Sequence, residues 1–485
     1  MTKPQNYPSE PAALWESFYQ ITQIPRPSKK EEKFRQYILN LAKSRGLTAK
    51  KDKAGNVVVY VPATPGHENR PAVIMQSHLD MVCDKLPERD IDFAKDPIDI
   101  DVQNGWIVAK GTTLGGDNGF GCAVALGIMQ DESAQHPPLE LLFTSDEETG
   151  LNGAKGIDIS LLSGKIMLNL DTEDWGALFI GCAGGIDYQF SSKVIMAAPK
   201  KGMDTYRLEI TGLSGGHSGC DIHRGRANAL KILSEILWDN RHLNFELVDV
   251  AAGKAHNIIP RDAFATLRLS LNDLTRLQDY CEKKILLLKG YLPEEDHNLA
   301  IIIRVEKKKV KKVLAYKEKV RFLTLLNLFP HGAYSYNWQA AEPVVNMSSN
   351  MAVVKLNGGK FHLHTSVRFL DFNETSTIIH KLEALSELFN LKMKEGVGYP
   401  SWKPAFNSQL LDLVKDEFRR EYGAEPKVKV IHAGLECGIL RDKLGDLDVI
   451  SLGPNLKGAH SPSEALEIDT SNKAWFLVKG ILARI

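Results

Sequence analysis

Apolar and polar residues alternate along the first part of the chain in a pattern that predicts helices and short strands in turn. Residues 12–24 are predicted to form a helix that ends at Pro25. A second helix is predicted around residues 34–46, because apolar side chains recur there at helical spacing and Gly46 can end the helix. β-rich runs at 57–61 and 72–75, each bounded by turn residues, predict strands.

The alternation continues with a helix at 120–129 and strands at 139–143, 166–170 and 449–453. Strands that alternate with helices favour an α/β domain with a mixed, largely parallel sheet between helices. In such a sheet, functional side chains gather beyond the carboxyl ends of the strands.

The pattern changes near residue 188. Predicted strands at 205–211 and 263–271 flank an amphipathic helix at 228–238, which indicates an α+β unit. The segment 394–402, rich in Gly and Pro, marks the return to the first domain.

The predicted organisation is therefore an α/β domain in two parts, residues 1–187 and 395–485, interrupted by an inserted α+β domain at 188–394. A length of 485 residues agrees with this division, since one ordinary core does not extend over so long a chain.

Charge and composition narrow the classes of function. The chain has 60 Lys and Arg residues and 60 Asp and Glu residues, so its net charge is zero. This balance argues against non-specific binding to nucleic acid or to a membrane surface, though not against a local charged patch. No apolar run approaches the length of a membrane span, and the first residues lack the apolar core of a signal peptide. The six cysteines are scattered without a Cys-x-x-Cys pair, so a cytoplasmic protein with buried thiols is expected.

Acidic and imidazole side chains follow several predicted strands. The run 139–143 leads to Asp146, Glu147 and Glu148, where like charges repel and resist desolvation. A solvated turn that caps the next helix is one interpretation, and a functional site is the other. His78 and Asp80 follow the strand 72–75 and project to the same side in extended chain. Asp80 could orient a neighbouring ligand or a catalytic water, and an ordinary polar strand exit is the alternative.

Further candidates follow at other strand and loop ends. Asp117 lies in a Gly-rich turn before a helix, where it could be an N-cap. Phosphate binding there is disfavoured, because the turn lacks a Gly-x-Gly-x-x-Gly fingerprint and a Walker lysine. Asp171 ends the strand 166–170. His460 precedes Ser461 and Glu464, whose spacing with Pro at the first helical position predicts a capping box.

Taken together, these ends supply a mixed set of nitrogen and oxygen ligands suited to zinc or another first-row divalent ion. The five candidate ligands are His78, Asp117, Glu148, Asp171 and His460. Five ligands exceed what one catalytic zinc with an open position takes, so two metal ions that share a carboxylate fit better. Zn is the expected ion, and Co or Mn is compatible with the same ligands.

The motifs around these residues resemble those of the co-catalytic zinc peptidases, a family that includes aminoacylases, carnosinases and carboxypeptidase G-type enzymes. The family's motifs occur here in order: His78-Leu79-Asp80, Gly116-Asp117-Asn118-Gly119, Asp146-Glu147-Glu148-Thr149-Gly150 and Asn169-Leu170-Asp171. Further motifs resemble the bacterial aminoacyl-histidine dipeptidase (peptidase D) group of the family, at 111–115, 181–187, 215–219, 432–438 and 459–462.

The resemblance implies a role for each residue of the metal site. Asp117 would bridge two metal ions, His78 and Asp171 would bind one, and Glu148 and His460 would bind the other. Glu147 would act as general base on a metal-bridging water, and Asp80 would position a ligand. Glu147 and Glu148 point to opposite sides in extended chain, which allows this division of roles.

The resemblance also implies a lid domain, inserted at 188–394, through which the protein forms a homodimer. His217 would approach the substrate carbonyl, in cis or from the partner subunit. Asn257 and Arg368 would hold the free carboxylate of the substrate, for which a bidentate arginine is suited.

The function implied is a cytoplasmic metallo-dipeptidase for unblocked dipeptides, with a preference for Xaa-His substrates such as β-alanyl-histidine. An N-acyl amino-acid deacylase or an aminopeptidase on the same metal core is the alternative. A metal-binding or partner-binding protein without catalysis is a third hypothesis, against which the presence of Glu147 argues.

Three other features have structural interpretations. The lysine-rich run 307–312 is predicted to be a solvated helix face. His362 and His364 alternate on a strand and are interpreted as surface or sheet-packing residues, with metal binding as the alternative. His432 and Glu436 have the spacing of a polar pair on one helix, and a place near the substrate is the alternative.

Overall fold

The computed structural model describes residues 2–340 and 342–485. All four predicted helices are present, with ends that lie within four residues of the predicted ones. The α-helices of the described residues are Ala12–Thr22, Glu32–Ser44, Gly116–Ile128, Asn152–Gly156, Ala229–Asp239, Leu271–Lys289, Tyr316–Leu328, Ser376–Leu388, Gln409–Tyr422, Glu436–Leu444 and Ile468–Arg484. None of the described helices is long and apolar enough to cross a lipid bilayer.

The chain divides into two compact units, each with its own hydrophobic core. The first unit contains the chain through Cys182, Trp402–Val430 and Leu435–Ile485, and the second contains Ala183–Ser401 and Ile431–Gly434. The domain boundaries drawn from the sequence, 187/188 and 394/395, did not include the short return of the chain to the second unit at 431–434.

The first unit is built on an eight-stranded mixed sheet. In order across the sheet, its strands are Thr48–Lys51, Val57–Val61, Leu139–Thr144, Val73–His78, Ile166–Asn169, Asp448–Ser451, Ala177–Cys182 and Lys427–Ile431. The third to sixth strands pair in parallel, whereas the first three strands pair antiparallel with one another and the sixth pairs antiparallel with the seventh. The predicted α/β class is therefore confirmed, and the parallel part is the centre of the sheet.

The central strands of this sheet are rich in apolar residues because both of their faces are covered. Val73–His78 and Leu139–Thr144 are buried along their whole length, as expected for parallel strands covered on both faces. The helix Gly116–Ile128 is also almost entirely buried and consists mainly of small residues. Its Gly127 has no room for a side chain, since a Cβ there would lie 2.8 Å from the ring of Trp475 and 3.0 Å from the Ala13 carbonyl oxygen.

A smaller four-stranded sheet in the first unit supports two of the candidate site loops. Its strands, in order, are Leu456–Lys457, Ala465–Glu467, Trp106–Ala109 and Ile100–Gln103. The segment between the first two strands contains His460, and the segment after Trp106–Ala109 leads to Asp117.

The second unit is an α+β structure, which agrees with the sequence prediction. Its large sheet is antiparallel, with strands in the order Ala300–Val305, Asp204–Thr211, Ala263–Leu269, Glu246–Ala252, Val344–Asn357, Lys360–Phe369, Gly184–Lys193 and Lys392–Glu395. Gly332–Asn337 also pairs with Val344–Asn357, and Met196–Ala197 pairs with Val313–Leu314. The alternation of buried and partly exposed residues in Asp204–Thr211 is typical of a sheet with one covered face.

Three local predictions are wrong. Residues 307–312 form an irregular, largely exposed segment and not a helix face. His432 lies before the helix Glu436–Leu444 and outside it, so the two residues do not form a pair on one helix. Ser461 and Glu464 lie in a turn that leads into the strand Ala465–Glu467, so no capping box forms.

Candidate metal centre

Three neighbouring parallel strands of the first unit bring acidic and imidazole groups to one edge of the sheet. His78 is the last residue of Val73–His78, which pairs with Leu139–Thr144 on one side and Ile166–Asn169 on the other. Glu148 and Asp171 follow those two strands within four residues. The carboxyl ends of adjacent parallel strands lie side by side, and this places the three side chains close together.

Asp117 lies between two imidazoles. Its Oδ1 lies 2.9 Å from Nε2 of His78, and its Oδ2 lies 3.1 Å from Nε2 of His460. The helix-cap interpretation of Asp117 does not hold, because Asn118 makes the capping contact by accepting a hydrogen bond from the Gly121 N–H at 2.9 Å. The Asp117 carboxylate is therefore available to both histidines.

The remaining candidate ligands complete two sets of three that share Asp117. Nε2 of His78 lies 3.5 Å from Oδ1 of Asp171, and Nε2 of His460 lies 3.0 Å from Oε2 of Glu148. In each set the three ligand atoms lie within 4.8 Å of one another. His460 is half exposed, whereas His78 is buried, so the centre is open to solvent on the His460 side.

The arrangement of these imidazole and carboxylate groups is suited to two divalent cations. One carboxylate divides its two oxygens between two imidazoles, as a bridging ligand does, and each imidazole has one further carboxylate. Oε1 of Glu148 is buried and has no hydrogen-bond partner within the described residues, so lone pairs remain for a cation. Histidine and carboxylate ligands suit zinc and other first-row ions.

Electrostatics of the cluster also favour positive charge. Hydrogen bonds to Asp117 and Glu148 raise the pKa of His460 to about 11. Burial lowers the pKa of His78, but the charges and hydrogen bonds of Asp171 and Asp117 outweigh it and raise that pKa well above its usual range. Burial raises the pKa of Asp171 to about 6. Protons thus compensate the carboxylates, and bound cations would replace those protons.

Asp80 connects His78 to the acidic turn. Its two carboxylate oxygens accept hydrogen bonds from the backbone N–H groups of Glu147 at 3.0 Å and Glu148 at 3.2 Å, and its Oδ1 lies 3.4 Å from Nδ1 of His78. Burial raises the pKa of Asp80, but these contacts outweigh it and lower that pKa to about 2. An ionised Asp80 therefore orients the imidazole of His78, a candidate ligand, and also holds the turn that contains Glu147 and Glu148.

Asp146 stabilises the acidic turn itself. Its carboxylate accepts hydrogen bonds from the Thr149 hydroxyl and the Asn152 side-chain amide, each at 2.7 Å. Its backbone N–H donates to Oε1 of Glu31 at 3.1 Å, and its φ of 49° is left-handed, which aspartate tolerates better than most residues. These contacts fix the backbone from which Glu147 and Glu148 project.

Glu147 is a partly buried carboxyl with several other carboxylates around it. Burial raises the pKa of its carboxyl well above the usual range. The negative charges of Asp171 and Glu436 act in the same direction, and the charge of His78 offsets them in part. A carboxyl with a raised pKa is suited to general acid–base chemistry near neutral pH.

The structure adds two buried carboxyls beside the candidate ligands, and the sequence analysis had offered a place near the site only for Glu436, as an alternative. Oε2 of Glu436 accepts hydrogen bonds from the Gln76 amide at 2.7 Å and the Thr144 hydroxyl at 2.6 Å, beside the strand ends. Glu464 accepts hydrogen bonds from three backbone N–H groups of the turn that carries Asp117. No local sequence signal identified these roles, because both depend on contacts between residues hundreds of positions apart.

In the second unit, Arg368 and His217 lie together. Nη2 of Arg368 is 3.3 Å from Nε2 of His217, Nη1 donates to the Tyr399 hydroxyl at 2.7 Å, and Nε donates to the Ser218 hydroxyl at 3.2 Å. The sequence analysis did not identify Ser218 or Tyr399. Both residues orient the guanidinium group.

His217 presents its Nε2 atom as a second hydrogen-bond donor beside the Arg368 guanidinium, which has no acceptor of its own. Its Nδ1 accepts hydrogen bonds from the backbone N–H groups of Gly219 and Cys220, which leaves the proton of the neutral ring on Nε2. Burial and the charge of Arg368 lower the pKa of His217 to about 4, so the ring is neutral at pH 7. The carbonyl oxygen of Asn257 accepts a hydrogen bond from the Ser218 N–H at 2.8 Å. The backbone of Asn257 therefore lies next to the segment that contains His217 and Ser218.

Comparison with protein-family models gives a match over residues 74–483 to "Peptidase family M20/M25/M40". The chain belongs to the M20/M25/M40 peptidase family. It is thereby a hydrolase of peptide bonds, and the resemblance inferred from its motifs is confirmed.

Several relatives of this peptidase match over nearly their whole length. The cytosol non-specific dipeptidase of Escherichia coli (strain K12) is 37% identical over 476 residues, which cover 98% of both chains. The crystal structure of aminoacylhistidine dipeptidase from Vibrio alginolyticus has 37% identity and a TM-score of 0.89, covering 98% of this chain and 97% of that one. A tripeptidase from Staphylococcus aureus, at 15% identity and a TM-score of 0.55 over 98% of each chain, shares the fold.

Proposed function

We propose that this peptidase is a dinuclear metallo-dipeptidase that hydrolyses unblocked dipeptides and prefers Xaa-His substrates such as β-alanyl-histidine. The observation that carries the proposal is the division of the Asp117 carboxylate between His78 and His460, each with one further carboxylate. The names of the E. coli and V. alginolyticus relatives support a dipeptidase, and the second name supports the histidine preference.

In the proposed site, His78 and Asp171 would hold one ion, Glu148 and His460 would hold the other, and Asp117 would be shared between them. Zn is the proposed ion, with Co or Mn as functional substitutes. When bound, two such ions lower the pKa of a water and polarise the scissile carbonyl.

Glu147 performs the proton transfers of the proposed mechanism. Its carboxylate removes a proton from the attacking water, and the resulting carboxylic acid gives that proton to the leaving amine as the peptide bond breaks. The raised pKa of Glu147 supports this cycle, since the carboxyl must hold the proton between the two steps. Asp80 contributes as a positioning residue through the backbone N–H of Glu147 and the ring of His78.

Substrate binding is assigned to residues of the second unit. Arg368 would pair with the free carboxylate of the dipeptide, and Asn257 would assist it. His217 would donate the proton on Nε2 in a hydrogen bond to the substrate carbonyl, which its neutral state supports. The proposal also makes the two parts of the first unit the catalytic domain and the second unit a lid through which a cytoplasmic homodimer forms.

Replacement of Glu147 by Ala tests the base. Glu147→Ala should retain its metal content, because the five ligands remain, and should lose about 10²–10⁴-fold in kcat on a dipeptide panel. Metal content by mass spectrometry and hydrolysis by amine release would be measured on the same samples. His78→Ala is the contrasting variant and should lose both metal and activity. A Glu147→Ala protein within tenfold of the parent activity would show that another group is the base.

The substrate panel separates the proposal from its alternative. Metal-stripped enzyme reconstituted with Zn, Co or Mn should cleave free dipeptides, and those with C-terminal His fastest. Cleavage of N-acylated amino acids in preference to free dipeptides would instead identify a deacylase, and release of single residues from longer peptides would identify an aminopeptidase.

A further inference from the structure

A second group of metal-ligating side chains lies in the second unit and is formed by Asp187, His256 and His364. Nε2 of His256 lies 3.5 Å from Oδ2 of Asp187, and Nε2 of His364 lies 3.8 Å from the same oxygen. One ligand atom from each of the three residues lies within 4.8 Å of the other two. None of these residues belongs to the metal centre of the first unit.

The sheet places two of the three groups on one face. Asp187 lies on Gly184–Lys193 and His364 on the paired strand Lys360–Phe369, where Asp187 is opposite Ser366 and His364 is opposite Gln189. Because residues two apart on a strand share a face, Asp187 and His364 are diagonal neighbours on the same side of the sheet. This part of the group is therefore built on regular structure.

His256 approaches from the loop that follows Glu246–Ala252. The side-chain amide of Asn350 donates hydrogen bonds to the carbonyl oxygens of His256 at 3.2 Å and Ile258 at 2.9 Å, so the loop backbone is fixed on both sides of Asn257. The ring of His256 lies tilted against that of His364, with ring centroids 5.3 Å apart.

The distances fit a shared cation better than direct hydrogen bonds. Hydrogen bonds from a charged donor to a carboxylate span about 2.7–2.9 Å, and both contacts of Asp187 are longer. Ligands about 2.0–2.2 Å from a tetrahedral zinc are about 3.3–3.6 Å from each other. Small side-chain rotations would bring the three atoms to that spacing.

His364 provides a second observation that points to a ligand. Its Nε2 atom is buried and has no hydrogen-bond partner among the described residues, although it faces the Asp187 carboxylate. Burial lowers the pKa of His364, and the Asp187 carboxylate acts in the opposite direction. His256 is 48% exposed, which gives an ion access from solvent.

We propose that Asp187, His256 and His364 form a third divalent-metal site, separate from the dinuclear centre. Two imidazoles and one carboxylate suit zinc or another first-row divalent ion, with water in the remaining coordination position. The bound ion links the loop of His256 and Asn257 to two strands of the sheet. Its role is to hold that loop, on which a substrate-binding residue has been proposed.

Metal counting on the full chain tests the site. The untagged protein would be stripped with a chelator, reloaded with Zn²⁺, desalted and analysed for zinc per chain by mass spectrometry. His364→Ala and Asp187→Asn should each bind one zinc fewer than the parent. His362→Ala is the matched control, because it removes a histidine two residues away on the same strand and should leave the count unchanged.

The comparison between variants does not depend on how many ions the first unit binds. A failure of the proposed dinuclear centre would appear in His78→Ala, and a failure of the third site would appear in His364→Ala. Reloading with Co²⁺ gives a second readout: the parent-minus-His364→Ala difference spectrum should show a visible absorption band of histidine-bound cobalt. Equal zinc counts and superimposable cobalt spectra in parent and His364→Ala would overturn the proposal, as would equal losses in His364→Ala and His362→Ala.

Discussion

Glu464 shows how a single buried carboxylate holds the position of a candidate ligand. Its side chain accepts hydrogen bonds from the backbone N–H groups of Leu114 at 2.7 Å, Gly115 at 2.9 Å and Asp117 at 3.2 Å. Burial raises its pKa, and the bonds from the Gly115 and Asp117 N–H groups oppose that shift. The residue thus fixes the turn of Asp117 from a segment that also contains His460.

Glu464→Gln should weaken metal binding without removing a ligand. The glutamine keeps one acceptor oxygen but places an amide donor against backbone donors, which costs about 1–3 kcal/mol of stability. Metal affinity should fall by about 10–100-fold, as for other residues that orient ligands. Competition with a chromogenic chelator would measure it. Glu467→Gln, which changes a carboxylate bonded to Asn455 and Thr470, is the control and should leave the affinity unchanged.

At the scale of an element, the helix Gly116–Ile128 determines how closely the Asp117 turn approaches the sheet. Its small residues allow it to lie buried beside the strands. Gly121 has no room for a side chain, because a Cβ there would lie 2.2 Å from Oδ1 of Asn118 and 2.7 Å from the carbonyl oxygen of Leu170, the residue before Asp171. The spacing between two candidate ligands therefore depends on the absence of a side chain at Gly121.

Gly121→Ala should destabilise the first unit and weaken its metal site. Alanine favours a helix by about 1 kcal/mol over glycine, but overpacking against backbone costs about 1–3 kcal/mol and moves Asp117 relative to Asp171. Urea unfolding and zinc competition would measure the two effects. Ala125→Gly in the same helix is the control: it should lower stability by about 1 kcal/mol and leave zinc affinity intact. Unchanged zinc affinity in Gly121→Ala would contradict this account.

On the scale of the whole molecule, positive and negative charges are equal in number, so the net charge gives folding stability no strong pH dependence near neutrality. Individual buried histidines do make the stability depend on pH. Burial lowers the pKa of His217 and His331 to about 4 and of His432 to about 3, from an ordinary value of 6.5. All three belong to the second unit.

Acidification should therefore destabilise the second unit between pH 6.5 and about 4. In that window the unfolded chain binds protons that the folded chain does not, so stability falls as the pH falls, by up to about 1.4 kcal/mol per pH unit for each histidine. Denaturant unfolding of metal-free protein at pH 7, 6 and 5 would measure it. His432→Gln, which keeps a partner for the Ser348 hydroxyl, should show a shallower decline. An equal decline in parent and variant would contradict the assignment.

Much of the metal centre could be predicted from the sequence because its signals are local. An apolar run predicts a buried strand, and a charged or imidazole side chain directly after it predicts a functional strand end. This reasoning found His78, Glu148 and Asp171, which the parallel register places together. It also assigned the α/β and α+β classes, because period and element order are properties of short segments.

Contacts between residues far apart in the sequence could not be predicted from these local patterns. The capping-box spacing at Ser461 and Glu464 predicted a helix, but the carboxylate of Glu464 binds the turn of Asp117 instead. The spacing of His432 and Glu436 suggested one helix, but His432 belongs to the second unit and Glu436 to the first, because the chain crosses back to the first unit between them. In each case the tertiary structure outweighed a local preference, which is about 1 kcal/mol for a helix cap and about 0.2–0.5 kcal/mol for a polar pair on one helix.

The sequence by itself determined which residue types lie at the strand ends and that they suit divalent metals. Only the tertiary structure decided that one oxygen of Asp117 faces His78 and the other faces His460. His460 lies 343 residues after Asp117 in the chain. It likewise brought Asp187, His256 and His364 together from two strands and a loop. The physical reason is that side-chain identity and strand periodicity are local, whereas the meeting of distant loops is fixed by sheet register and close packing.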